Sequence, residues 1–94
     1  MTISLICACK NRNQPLQIAL TSWLLRPEIT EIIIVDWSSD EALSPLTKLD
    51  SKIKVITVQN QKYFNQPQPL NLAASIVTGD YILKVDSDYI FSPY

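Results

Sequence analysis

The apolar residues of the chain fall into short blocks separated by polar stretches, and their spacing is that of buried strands alternating with helices. Ile3 to Cys9 is apolar and β-rich, broken only at Ser4, the pattern of a strand buried on both faces. It predicts a central parallel strand. Asn13 then offers a helix cap and Pro15 sits just inside the helix start. Leu16, Ala19, Leu20, Trp23 and Leu24 follow at helical spacing before Pro27 ends the turn. Glu31 to Asp36 carries Ile-Ile-Ile-Val with a carboxylate at its end, a second buried strand that runs into the polar stretch Trp37 to Glu41.

Ser44-Pro45 followed by Leu46 and Leu49 predicts a short helix. Ile53 to Val58 reads as a third strand nearer the sheet edge, with Lys52 and Lys54 fitting exposure there. After a polar, amide-rich loop holding Tyr63 and Phe64, residues Leu70, Ala73, Ala74 and Val77 mark a helix, with Gly79 as its terminating C′ residue. Tyr81 to Val85 is a fourth strand that ends directly in Asp86-Ser87-Asp88, and Tyr89 to Tyr94 is a tail. Strands alternating with helices imply an α/β fold: a mainly parallel four-stranded sheet, Rossmann-like, flanked by helices on both sides. Ligands of such sheets bind at the carboxyl ends of the strands. The polar residues gather at that edge: Lys10, Asn11 and Arg12, then Asp36 to Asp40, then Gln59 and Asn60, then Asp86 and Asp88.

Composition narrows the chemistry. At 94 residues the chain is one domain, residues 1–94, with a single core. Eight Lys+Arg against nine Asp+Glu offer no basic field for nucleic acid. No apolar run approaches the roughly 20 residues of a membrane helix, so a cytoplasmic protein without a transmembrane segment is expected. The absence of histidine removes Ser-His and Cys-His nucleophile pairs and His-ligated zinc. With one glycine, neither a G-x-G-x-x-G turn nor a phosphate loop can be written. Cys7 and Cys9 fit buried, reduced thiols, since neighbours two apart on a strand make a poor disulfide.

Asp86 and Asp88 carry the strongest chemical signal. In extended geometry both carboxylates face one way, and a divalent cation, Mn2+ or Mg2+, is the natural partner for such hard oxygens beside a diphosphate. A D-x-D pair alone is also ordinary content of a solvated loop, but here it follows a buried strand at the binding edge. Asp36 reads either as a turn former or as a hydrogen-bond partner for a ribose or base. Arg12 and Lys10 read either as solvated cations or as phosphate contacts. Trp23 belongs to the core by its spacing, whereas Trp37 could line a base pocket.

These residues together resemble the nucleotide-binding half of a family 2 glycosyltransferase of GT-A fold. Ser4 to Arg12 looks like the opening strand and its Asn-Arg turn, and Ile32 to Asp40 is similar to the segment "I-I-V-D-x-S-S-D". Asn71 to Leu83 resembles the helix and strand "N-x-G-x-x-x-A-x-G-D-Y-I", and Asp86-Ser87-Asp88 falls on the family's D-x-D. The sequence departs at Ala8 and Cys9, where Pro and Thr are usual, and at Leu70, where an arginine often precedes the helix asparagine.

The resemblance implies a partial GT-A domain that binds a nucleoside-diphosphate sugar, a UDP sugar foremost, for glycosyl transfer. Asp86 and Asp88 would hold metal and diphosphate, Asp36 the nucleoside, and Arg12 would assist. The family's acceptor half and catalytic base lie beyond the D-x-D, so the base is expected to be absent from these residues and the domain incomplete alone. The alternative is a non-catalytic module that binds nucleotide weakly or serves assembly, a homodimer among its forms. Nucleotidyltransferases, which want a glycine-rich signature after the first strand, rank below both.

Overall fold

The computed structural model describes residues 2–91; Met1 and the end of the tail from Ser92 lie outside the described residues. The elements are β1 (Ile3–Cys9), α1 (Asn13–Leu24), β2 (Ile29–Trp37), a 3₁₀ turn (Ser44–Lys48), β3 (Ile53–Val58), α2 (Pro67–Ala74) and β4 (Tyr81–Lys84). The strands form one parallel sheet in the order β3-β2-β1-β4, with Cys9 opposite Asp36 and Asp36 opposite Thr57. The central position of β1 and the edge position of β3 are those the hydrophobic pattern predicts.

Strand alternation divides the core between the two faces of the sheet. Leu5, Cys7, Cys9, Ile32 and Ile34 pack with Leu16, Leu20 and Trp23 of α1. On the other face, Ile6, Ile33, Val35 and Trp37 pack with Ala73 of α2. Because β1 and β2 bury both faces, their apolar runs are nearly continuous. Coverage stops at β4, where Tyr81, Ile82 and Leu83 are 58%, 50% and 36% exposed. The expected helical cover on both sides therefore holds for the central strands and fails at this edge.

Local details differ from the sequence expectations in ways with physical causes. Asn13 is the first residue of α1, not its cap: its Oδ1 accepts from Gln17 one turn on, while Arg12 takes the cap position without a side-chain bond. The second helix ends at Ala74, so Val77 lies beyond it and Gly79 is not its C′ residue. Gly79 has no positive φ. Glycine stands there because the backbone passes so close to Ser4 that a Cβ would lie 2.6 Å from Ser4 Oγ.

Glu31 ties this amino end of the sheet together. It is almost wholly buried on β2, and it accepts from the Ser4 hydroxyl on β1, from Lys54 Nζ on β3 at 2.8 Å, and from Thr78 N and Oγ1 before β4. Burial alone would raise its pKa, but these donors outweigh burial and hold the carboxyl down to about 2. With the amino end fixed, the opposite edge is free to carry function. No helix among the described residues is long and apolar enough to cross a membrane.

Candidate functional site

At the carboxyl edge, the turns after β1 and β4 and the loop before α2 enclose a polar cavity of about 490 Å³. Arg12, Asp86 and Asp88 line it together with Phe64 and Gln66. Three of the four sequence-selected site residues thus meet in one cleft. Arg12 and Asp88 are both exposed, and among the described residues neither makes an ion pair. Asp86 Oδ1 lies 3.3 Å from Lys84 Nζ.

The D-x-D is not extended, which corrects the sequence expectation. Tyr89 N donates to the Asp86 carbonyl at 3.1 Å and closes a turn over residues 86–89. The two carboxylates reach the cavity from a turn instead of from alternate positions on a strand. That turn is anchored from α1: the Trp23 indole N–H donates to the Tyr89 carbonyl at 2.8 Å, and Phe91 N donates to Ser22 Oγ at 3.1 Å. Trp23 is core, as its spacing implies, but its one polar atom positions the acidic turn.

Among the described residues, no group of three or more His, Cys, Asp and Glu could cage a metal. Two exposed carboxylates fit Mn2+ or Mg2+ only as ions that take their remaining oxygens from water and substrate phosphate, which is the habit of Mg2+ in particular. The cysteines do not compete for this role. Burial pushes both thiols up, with neighbouring negative charge adding to it, Cys9 and Asp86 near Cys7 and Asp36 near Cys9. Both are free and buried, as expected.

Asp36, the fourth selected residue, lines neither this cavity nor its neighbour. It is 1% exposed, and its oxygens accept from Ser39 N at 3.0 Å and Leu43 N at 3.1 Å. It shapes the loop after β2 from beneath. Trp37 is likewise in the core and lines neither of these two cavities; its indole N–H donates to the Tyr63 carbonyl and pins the loop that carries Phe64.

A second polar cavity of about 570 Å³ opens between the loops after β1, β2 and β3, with Asp40, Asn60 and Gln61 among its walls. Lys10 and Asn11 border both cavities. Asn11, Ser38 and Asn60, one from each of these loops, have φ of 56°, 56° and 64°. Asn60 was placed at this edge by the sequence, whereas Phe64 and Gln66 were not singled out as site residues, because a polar loop has no periodicity to show which side chains turn inward.

A parallel sheet in this order, with a polar carboxyl edge and a D-x-D turn after the fourth strand, has the architecture of a GT-A glycosyltransferase. The chain belongs to glycosyl transferase family 2, whose family model matches residues 4–94. Among solved structures it is similar to S. aureus TarS 1-349, with a TM-score of 0.76 and 25% identity over 96% of this chain and 28% of that one. A second S. aureus TarS structure gives 0.73 and 26% over 94% and 17%. The fold is also that of the mannosyltransferase PcManGT from Pyrobaculum calidifontis, solved in complex with GDP-Man and Mn2+, with a TM-score of 0.78 and 17% identity over 98% and 28%. The chain therefore spans between 17% and 28% of the length of these structures. A search of curated proteins finds no match for the sequence.

Proposed function

We propose that residues 1–94 form the donor-binding half of a nucleotide-sugar-dependent glycosyltransferase. The observation that carries this reading is the meeting of Asp86, Asp88 and Arg12 in one polar cavity at the carboxyl edge. Asp86 and Asp88 hold Mn2+ or Mg2+, which supplies charge neutralisation to a departing diphosphate. Arg12 offers its planar fork to the same diphosphate. The nucleoside, a UDP sugar's uridine first, lies toward the second cavity, and Asp36 serves it by holding the loop of Ser39 and Asp40 in place. No carboxylate besides Asp86 and Asp88 lines the diphosphate cavity among the described residues, so deprotonation of the acceptor falls to another part of the whole protein.

Isothermal titration of UDP, with GDP as control, tests this reading in Mn2+ and in EDTA, on the unaltered chain and on Asp88→Ala. The expected result is binding in Mn2+ that EDTA abolishes and Asp88→Ala weakens at least tenfold. Failure of both nucleotides to bind in Mn2+ overturns it in favour of an assembly module.

One observation favours a self-associating form of the domain. Tyr81 N donates to the carbonyl of Thr2, just before β1, and Val85 N to that of Ile6 on β1, so the backbone groups of Ile82 and Lys84 point away from the sheet. In an antiparallel pairing of two β4 strands centred on Ile82, Asp80 of one copy meets Lys84 of the other, and Tyr81 meets Leu83. The edge is self-complementary in hydrogen-bond parity, charge and apolar content, which supports a homodimer through β4.

A further inference from the structure

We infer that Lys10 is a positioning residue: its ammonium clamps the loops after β1, β2 and β3 into the wall that separates the two cavities, and it does not contact phosphate. The inference rests on the donor-site reading above, since the second cavity matters only if a nucleoside occupies it.

Lys10 directly follows β1, and its Nζ donates to the carbonyls of Ser38 at 2.7 Å, Gln61 at 3.0 Å and Trp37 at 3.4 Å. An ammonium has three protons; the Ser38 and Gln61 carbonyls take two at normal distance, and the Trp37 carbonyl stands at the long end of the range. An oxyanion would have to compete with these carbonyls for the cation. The carbonyls come from the last residue of β2, the loop after it and the loop after β3, so one side chain just beyond the central strand links three separate segments. Clustered carbonyl oxygens repel one another, and the cation between them removes that repulsion.

The surrounding hydrogen bonds show what the clamp holds. Asn11 Oδ1 accepts from Asp40 N at 2.8 Å, and Asn11 N donates to Ser39 Oγ at 3.0 Å. Ser38 Oγ donates to the Val58 carbonyl at 2.6 Å and accepts from Gln61 N at 2.8 Å. Ser38 adopts its left-handed φ of 56° with a Cβ that disfavours it, so its conformation depends on these partners. In a chain with one glycine, the edge gets its tight turns by side-chain and ammonium bonding instead of by glycine freedom.

The test separates positioning from phosphate contact by measuring three ligands on the unaltered chain and on Lys10→Met, which keeps most of the apolar stem and removes the charge. The ligands are uridine, UDP with Mg2+, and inorganic pyrophosphate with Mg2+, titrated by NMR. A positioning role weakens uridine and UDP by the same factor, at least tenfold, and leaves pyrophosphate within twofold. Loss of UDP and pyrophosphate with uridine unchanged overturns it.

If the unaltered chain binds none of the three, the donor-site reading fails, and amide exchange then decides the clamp. Exchange at Ser39, Asp40 and Gln61 is expected to quicken at least tenfold in Lys10→Met while Ile33 and Ile34 keep their rates; unchanged exchange at the loop amides overturns the inference. Lys10→Gln serves in the same measurements if near-ultraviolet circular dichroism shows the methionine variant unfolded.

Discussion

The backbone N–H of Gly79 donates to Ser4 Oγ at 2.8 Å, across a gap in which a Cβ would lie 2.6 Å from that oxygen and 2.9 Å from Ser4 N. The Ser4 hydroxyl in turn donates to Glu31, so any shift that makes room at Gly79 also disturbs the carboxylate. Gly79→Ala is expected to lower stability by about 1–3 kcal/mol, the usual range for overpacking a tight site. Thermal unfolding checks this; an unchanged midpoint would mean that β4 can move off β1 without cost.

Glu31 sets the acid limb of stability. Its folded pKa, about 2, lies below the ordinary carboxylate value, so its contribution is complete above about pH 4.5 and is lost as pH falls toward 2. The size implied is on the order of 3 kcal/mol. Glu31→Gln is expected to lower stability at pH 7 and to flatten the decline between pH 4.5 and 2, read by denaturant unfolding at a series of pH values. A decline as steep as in the unaltered chain would assign the acid sensitivity to other carboxylates.

Arg12 has no ion-pair partner among the described residues and borders the cavity proposed to take the diphosphate. Arg12→Ala is expected to weaken UDP binding in Mn2+ about tenfold, roughly 1.4 kcal/mol, and to reduce its salt dependence. Uridine affinity should stay the same. Titration at two ionic strengths reads both effects, and equal loss for uridine would place Arg12 in the loop framework instead of on phosphate.

In the proposed β4 pairing Ile82 would sit on the two-fold. If the unaltered chain sediments as a dimer as proposed, Ile82→Lys, which would set like charges directly opposite each other, is expected to give a monomer at the same concentrations. Sedimentation velocity over a hundredfold concentration range checks it; a monomer throughout in the unaltered chain removes the pairing.

Strands and the first helix were legible because burial leaves a period: Ile3 to Cys9 and Ile32 to Val35 read as central strands, and Leu16, Ala19, Leu20 and Trp23 as one face turned to a core. That Arg12, Asp86 and Asp88 share one cavity was legible because topology brings strand ends together. What escaped was close approach and partner choice. Gly79 looked like a helix stop because a sequence does not show that Ser4 lies against it. Asp36 read either as a turn former or as a ligand contact, and the bonds it makes to Ser39 N and Leu43 N were not legible because they depend on how its own loop folds. Glu31 drew no comment at all, since a carboxylate at a strand start reads as exposed until four donors are seen around it. Lys10 was legible as a cation at the edge, but the carbonyls that hold it come from loops up to 51 positions away.

The two margins of the sheet are unequal. Along β3, Lys54 folds over to Glu31 and Lys52 Nζ donates to the Ile29 carbonyl, so lysines guard that side. Along β4 the strand is bare on both faces, and it leads straight into the acidic turn. Any strand that joins the sheet there would run about 5 Å from β4. It would end beside Asp86 and Asp88. The two flanks thus differ in what they offer a neighbour, and a strand that paired with β4 would lie beside the acidic pair.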